Sequence, residues 1–228
     1  MLTFRESVHH LLLNGEMTIL DELNDTYVLL DSESTQQLVA AIIGASESLP
    51  SIAIDLIADG VLERSAHHQF ISTVASHDIG VGNYEWRLSS FFRNARAKLP
   101  LTTRALFLLL IIKLQIRIYG FHDCLSRMRR KKRWIQKRAT ARQRLDSDFA
   151  ERAAKAFEIA ARLVPFRTEC LEFSAALFHL LLSRGLLPSF VIGIQRYDFL
   201  AHAWVELDDK VIGDAWFLPE RLPAIVRI

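Results

Sequence analysis

The sequence predicts an α+β chain in two parts: a small antiparallel meander followed by helices, then helices packed on an antiparallel sheet. Three observations carry that expectation. VHHLLL, EMTILDE and TYVLLD are short strand-like runs broken by Asn14-Gly15 and Asn24-Asp25, and Asn-Gly is a strong hairpin signal. Residues 169–184 repeat apolar side chains at helical spacing and lead, past Gly185 and Pro188, into two β-like runs. Charge divides the chain: residues 1–80 hold 2 Lys/Arg against 12 Asp/Glu, residues 81–168 hold 21 against 6, and residues 169–228 hold 5 against 8. The net charge of +2 therefore hides segments of −10, +15 and −3.

At 228 residues and half apolar, the chain can build a real core in one large or two small domains. Two cysteines do not make a disulfide framework. The start, MLTFRESVHHLLLNGE, lacks a basic n-region and a clean apolar h-region, so no signal peptide is expected and the cytoplasm is the expected compartment.

After the three strand-like runs, SESTQQLVAAIIG begins as a capped helix with Ser32 or Ser34 as N-cap, and LPSIAIDLIADG is a second helix ended by Gly60. Three strands and then helices outline a small winged-helix domain over residues 1–63. DNA is a poor partner, because binding neutralises phosphates with Lys and Arg and this part carries two cations against twelve acids. An extended peptide added to an edge strand fits better.

Residues 64–84, polar and small with two glycines close together, read as a linker. His67, His68 and His77 lie there without a companion cysteine or a spaced acidic cluster, so solvated linker is the better reading than a metal site. The second domain then covers residues 85–228. YEWRLSSFFRNARAKL is helix-like up to Pro100. In LTTRALFLLLIIKLQIRIYG the apolar run Ala105–Ile112 is interrupted by Lys113 and Arg117; a membrane span needs about 20 apolar residues, so a buried helix is expected. The cation-dense CLSRMRRKKRWIQKRATARQR reads first as a solvated helix face. Its functional readings are docking onto an acidic partner, onto the acidic first part, or onto anionic lipid, and Trp134 alone is available there to stack on a nucleic acid. DSDFAERAAKAFEIAARLV is a helix running to Pro165.

The chemistry concentrates in residues 170–214. Cys170 lies in the first turn of the helix predicted from Thr168 or Glu169 to Arg184, where the unpaired N–H groups and the positive end of the dipole favour a thiolate. SFVIGI and LAHAWVEL read as strands, and period two places His202, Trp204 and Glu206 on one face. With Asp208, Asp209 and Lys210 as the hairpin loop, Trp204 faces Asp214, and Asp214 lies diagonally near His202. A two-residue loop would put the pair on opposite faces. Cys170, His202 and Asp214 have the residue types of a thiol-hydrolase triad: nucleophile, base and orienter. Taken singly, each has a plainer reading, as small core residue, strand histidine and turn aspartate. Cys124 adjoins His122 and Asp123, but neighbours in sequence diverge on a helix, so it reads as structural. No GxxxxGK[ST] occurs and no cofactor is recognisable.

The pieces CLEFSAAL, FVIGI, AHAWVE and VIGD resemble the transglutaminase-like cysteine peptidase of lasso-peptide biosynthesis, the B proteins, most closely their single-chain proteobacterial kind. The resemblance implies a papain-like or transglutaminase-like core, and a PqqD-like precursor-recognition element at the N-terminus. It further implies that the peptidase removes the leader of a ribosomal precursor, usually just after a threonine at the leader's penultimate position. An ATP-using, asparagine-synthetase-like cyclase then joins the freed amine to an acidic side chain, so any ATP dependence enters through that partner. Carried over, Cys170 is the nucleophile, His202 the base and Asp214 its orienter. The leader would lie along Tyr27, Val28, Leu29 and Leu30 and against the helix carrying Ile54 and Ile57, although such residues are also ordinary core. Three other readings stay open: an acyltransferase of the transglutaminase or arylamine type with the same triad, a non-catalytic delivery scaffold, and a winged-helix regulator disfavoured by charge.

Overall fold

The computed structural model describes residues 2–46, 48–65, 71, 80–82, 84, 99–138 and 147–228. The chain forms two compact units, Met1–Ile79 and Gly80–Ile228.

In the first unit, β1 (Leu2–Phe4) is followed by the meander β2 (Val8–Leu13), β3 (Glu16–Asp21) and β4 (Thr26–Leu30). Then come α1 (Ser32–Ile42), α2 (Ser51–Ala58) and β5 (Leu62–Arg64), which returns to pair antiparallel with β1. The β2–β3 turn is the two residues Asn14 and Gly15, both with positive φ, as an Asn-Gly hairpin demands. The strands pair in the order β2-β3-β4, so β4 is an end strand of its sheet. Helix α1 is capped by Asp31, whose carboxylate accepts from the Ser34 N–H at 2.8 Å. That corrects the expected Ser32 or Ser34 cap, because the aspartate one residue earlier already holds the extended backbone of an N-cap. The core gathers Met17 and Ile19 of β3, Leu38 and Ile42 of α1 and Leu56 of α2, with Leu2, Phe4 and Leu62 closing it from the β1–β5 ladder. Below it the buried Thr35 hydroxyl accepts from the Met17 N–H at 3.0 Å, tying α1 to β3.

The second unit contains α3 (Leu99–Arg138), α4 (Ser147–Leu163), α5 (Cys170–Ser183), β6 (Ser189–Gln195), β7 (Leu200–Leu207), β8 (Lys210–Ile212), α6 (Leu218–Arg221) and β9 (Ala224–Arg227). Its four strands pair antiparallel in the order β8-β7-β6-β9. Helices α3, α4 and α5 pack on one another, and α5 lies against β7 and β6. Small residues allow this: Ala150, Ala153, Ala154, Ala156 and Ala160 of α4 are buried beside Phe157 and let the helices approach closely.

Several expectations change here. Gly80, Val81 and Tyr84, placed in the linker, belong to the second unit, and Val81 and Tyr84 pack on its core, because their apolar surface finds a seat beside Val191 and Trp204. The rest of the expected linker from residue 66, apart from Ile71 and Gly82, lies outside the described residues, as do His67, His68, His77 and residues 85–98 of the expected helix. Pro100 stands in the first turn of α3, a position that needs no N–H partner. The helix breaks at Gly120 (φ 83°, ψ 175°). Burial of the 105–112 run holds for one side only: Ala105, Leu109 and Ile112 are buried, while Phe107, Leu110 and Ile111 are exposed. By length and composition α3 also passes for a membrane-crossing helix, although Lys113 and Arg117 had argued it too short.

Candidate active site

Helix α5 begins at Cys170 because Glu169 supplies an extended N-cap and Glu172 reaches back to accept the Glu169 N–H at 2.8 Å. Glu172 is itself buried, and its other oxygen receives Lys113 Nζ of α3 at 2.5 Å. The lysine that interrupts the apolar run of α3 thus pins the helix start carrying the half-buried Cys170. Deeper in α5, the Ser174 hydroxyl donates to the Ala203 carbonyl at 2.9 Å, fixing the helix against β7 one residue from His202.

His202 is buried, and its ring bridges two partners. Its Nε2 lies 2.7 Å from Asp214 Oδ2, and the ring also hydrogen-bonds Cys170. Burial pushes the imidazole down, but the bonds to Asp214 and Cys170 outweigh it and hold His202 up at about 9. Asp214 in turn accepts from three donors: His202 on Oδ2, and on Oδ1 the Tyr84 hydroxyl at 2.5 Å and the Ala215 N–H at 2.8 Å. Burial first, then the bond to Asp214, raises the Tyr84 phenol above its usual range, so it remains a donor.

The expected hairpin register is wrong, yet the pair meets. Leu207 pairs with Lys210 and Glu206 with Val211, so the loop is Asp208-Asp209, both at positive φ, and strict alternation would aim Asp214 away from His202. The ladder stops at Ile212, and Gly213 at φ +77° turns the chain and brings Asp214 to the histidine. A second glycine makes room on β6: Gly193 sits opposite His202, and a Cβ there would lie 2.5 Å from the Trp204 ring. That ring stacks on His202 (centroids 6.3 Å, planes 18° apart) and donates Nε1–H to Glu206 at 2.8 Å. Arg227 of β9 covers the other oxygen of Glu206 at 2.5 Å.

The rival thiol is disarmed. Cys124 is buried in α3, and burial, with Asp123 adding to it, pushes it up to about 12. Asp123 pairs with Arg127, and His122 contacts Ser126, so neither serves Cys124 as a base. Among the described residues no group of three or more His, Cys, Asp or Glu gathers as a metal would need. Thr168 Oγ1, two residues before the thiol, is buried with no hydrogen-bond partner among the described residues.

Of the residues expected along a leader, Tyr27, Val28, Leu29 and Leu30 lie on β4, and Ile54 and Ile57 on α2. Leu29 and Ile54 are exposed, at 42% and 53%. Val28 and Ile57 lean on the core, and Leu30 is inside it, so its side chain is spent on packing and its main chain is what it could offer a leader. Sequence reasoning missed Tyr84, whose one signal was an aromatic just past a glycine pair, and Glu172, hidden in an apolar helix turn.

A thiol at a helix start, an imidazole on an antiparallel strand and a carboxylate just beyond that sheet's end, in this chain order, are the residue types of a thiol-acyl-transfer site. The chain belongs to the transglutaminase-like superfamily, whose model matches residues 106–227. A stretch of 63 residues, 28% of the chain, is 38% identical to the microcin J25-processing protein McjB of Escherichia coli, and it spans 30% of that protein. No solved structure matches.

Proposed function

We propose that this chain is a lasso-precursor peptidase that removes the leader by thiol chemistry. The observation that carries this reading is the His202 ring held between Cys170 and Asp214. The partial similarity to a microcin J25-processing protein supplies the substrate class.

The first unit is read as a PqqD-like, winged-helix-like element on which the leader docks along β4 and α2, raising the local concentration of the scissile bond. His202 takes the Cys170 thiol proton as the sulfur turns to the substrate. The sulfur attacks the scissile carbonyl, and N–H groups at the start of α5 stabilise the oxyanion. As the C–N bond breaks, His202 gives its proton to the core amine, which leaves, and the leader remains as a thioester on Cys170. Water then attacks with His202 taking its proton, the C–S bond breaks, and the leader departs as a carboxylate. The freed amine passes to an ATP-using, asparagine-synthetase-like cyclase in the cytoplasm.

The test is mass spectrometry of precursor incubated with wild type or Cys170→Ala, with and without the cyclase. Cleavage lost only in the variant supports the peptidase. Equal processing by both makes the chain a delivery scaffold, and transfer of the leader to an added amine in place of water makes it an acyltransferase.

A further inference from the structure

The triad pattern does not account for Tyr84, which reaches the site from a segment that precedes every helix and strand of the second unit. That segment is fastened independently. The Val81 N–H donates to Gln195 Oε1, at the end of β6, at 2.7 Å, and the Tyr84 N–H turns back to the Gly82 carbonyl at 2.9 Å. A Cβ at Gly80 would lie 2.3 Å from the same Gln195 oxygen, so the backbone passes close over that side chain. The Tyr84 ring packs edge-on to Phe217, at 6.2 Å between centroids, and edge-on to His202, at 5.3 Å.

The two oxygens of Asp214 divide their work. Oδ2 faces His202, and Oδ1 takes the Tyr84 hydroxyl and the Ala215 N–H. A carboxylate attached through one oxygen turns easily about its last torsion, which is broad and roughly two-fold. Two donors on Oδ1, one from the backbone and one from a braced side chain, remove that freedom.

We propose that Tyr84 is a positioning residue: its hydroxyl locks the Asp214 carboxylate so that Oδ2 holds the His202 Nε2–H and fixes the ring's orientation. It acts through Asp214 and His202 and touches no reacting atom. Its effect on rate rests on the peptidase reading; its effect on the imidazole does not.

The variant is Tyr84→Phe, which keeps the ring against Phe217 and His202 and removes the hydroxyl. Two readouts are needed: kcat and KM for precursor cleavage, and the ring N–H resonances of His202 in 15N-histidine-labelled full-length protein, whose spectrum also reports that the variant is folded. The expected result is a kcat lower by roughly ten- to hundredfold, the scale of one hydrogen bond to a charged group, with KM unchanged. The Nε2–H resonance should shift and broaden as it exchanges with solvent. Wild-type kcat with an unmoved resonance overturns the proposal, and so does a kcat loss with the resonance unmoved, since packing alone would then explain it. If wild type cleaves no precursor while Tyr84→Phe still moves the resonance, the peptidase reading falls and the hold of Tyr84 on the histidine stands.

Discussion

On the His202 imidazole two opposing effects act on one proton. Burial favours the neutral ring, and the bonds to Asp214 and Cys170 favour the charged one and win, leaving it protonated up to about 9. The sign of the linkage follows. A histidine raised above its unfolded value of about 6.5 contributes stability that is complete below that value and is lost as pH climbs through 9. The melting-temperature gap between wild type and His202→Gln should therefore shrink between pH 6.5 and pH 9, and a constant gap would contradict it. Cleavage should show an alkaline limb near 9 in kcat/KM, where the imidazolium that protonates the leaving amine disappears. Thr168 is the opposite case. Its hydroxyl is buried without a partner among the described residues, a state that costs about 1–3 kcal/mol. Thr168→Val, nearly isosteric, should leave cleavage unchanged and raise stability by up to about 1–2 kcal/mol in urea unfolding; lost cleavage with intact stability would give the hydroxyl a role in the chemistry.

The β7–β8 hairpin shows why some of the site was legible in the sequence and some was not. Helix α5 could be read because apolar spacing and Gly185 point one way, and the observed bounds Cys170–Ser183 sit inside the expected ones. The histidine face of β7 could be read from period two, and the stacking of His202 on Trp204 follows it. The loop length could not, because Asp208, Asp209 and Lys210 all suit a turn and a one-residue choice inverts the face of everything beyond. The expected pairing of His202 with Asp214 came from a three-residue loop; the structure has two residues, and the parity is restored by Gly213. Tyr84 was illegible for another reason: a polar, glycine-containing segment carries no periodicity, so its tertiary anchor on Gln195 leaves no local mark. The kink at Gly213 yields a prediction. A Cβ there would meet Ala154 at 3.0 Å in a left-handed backbone, so Gly213→Ala should cost roughly 1–3 kcal/mol and lower kcat by misplacing Asp214. Unfolding and single-turnover cleavage measured together check it. The added Ala154→Gly should recover only part of the stability, because it relieves the contact and leaves the φ penalty.

The chain folds as two units, and the proposed division between a binding first unit and a reacting second one can be measured. If the leader docks on the first unit, its side chains should meet the apolar groups that unit leaves outside its core. Leu29 and Ile54 qualify, at 42% and 53% exposed, whereas Leu30 at 5% does not. Replacing both exposed residues by glutamate adds charge to a surface already rich in acids and removes apolar area worth about 1.5–3 kcal/mol for each side chain fully buried on contact. The expected outcome is a KM for full-length precursor raised at least tenfold with kcat unchanged, the pattern of lost uniform binding. Stability should move by no more than about 0.5 kcal/mol, as for other exposed positions. Leu30→Ala, one residue along the same strand, should do the reverse: about 2–5 kcal/mol of stability lost with KM little changed while the protein stays folded. A core peptide carrying only the few leader residues next to the scissile bond discriminates further. It bypasses the first unit, so the double glutamate variant should cleave it at the wild-type rate, and a variant slow on both substrates would mean that β4 and α2 do not hold the leader.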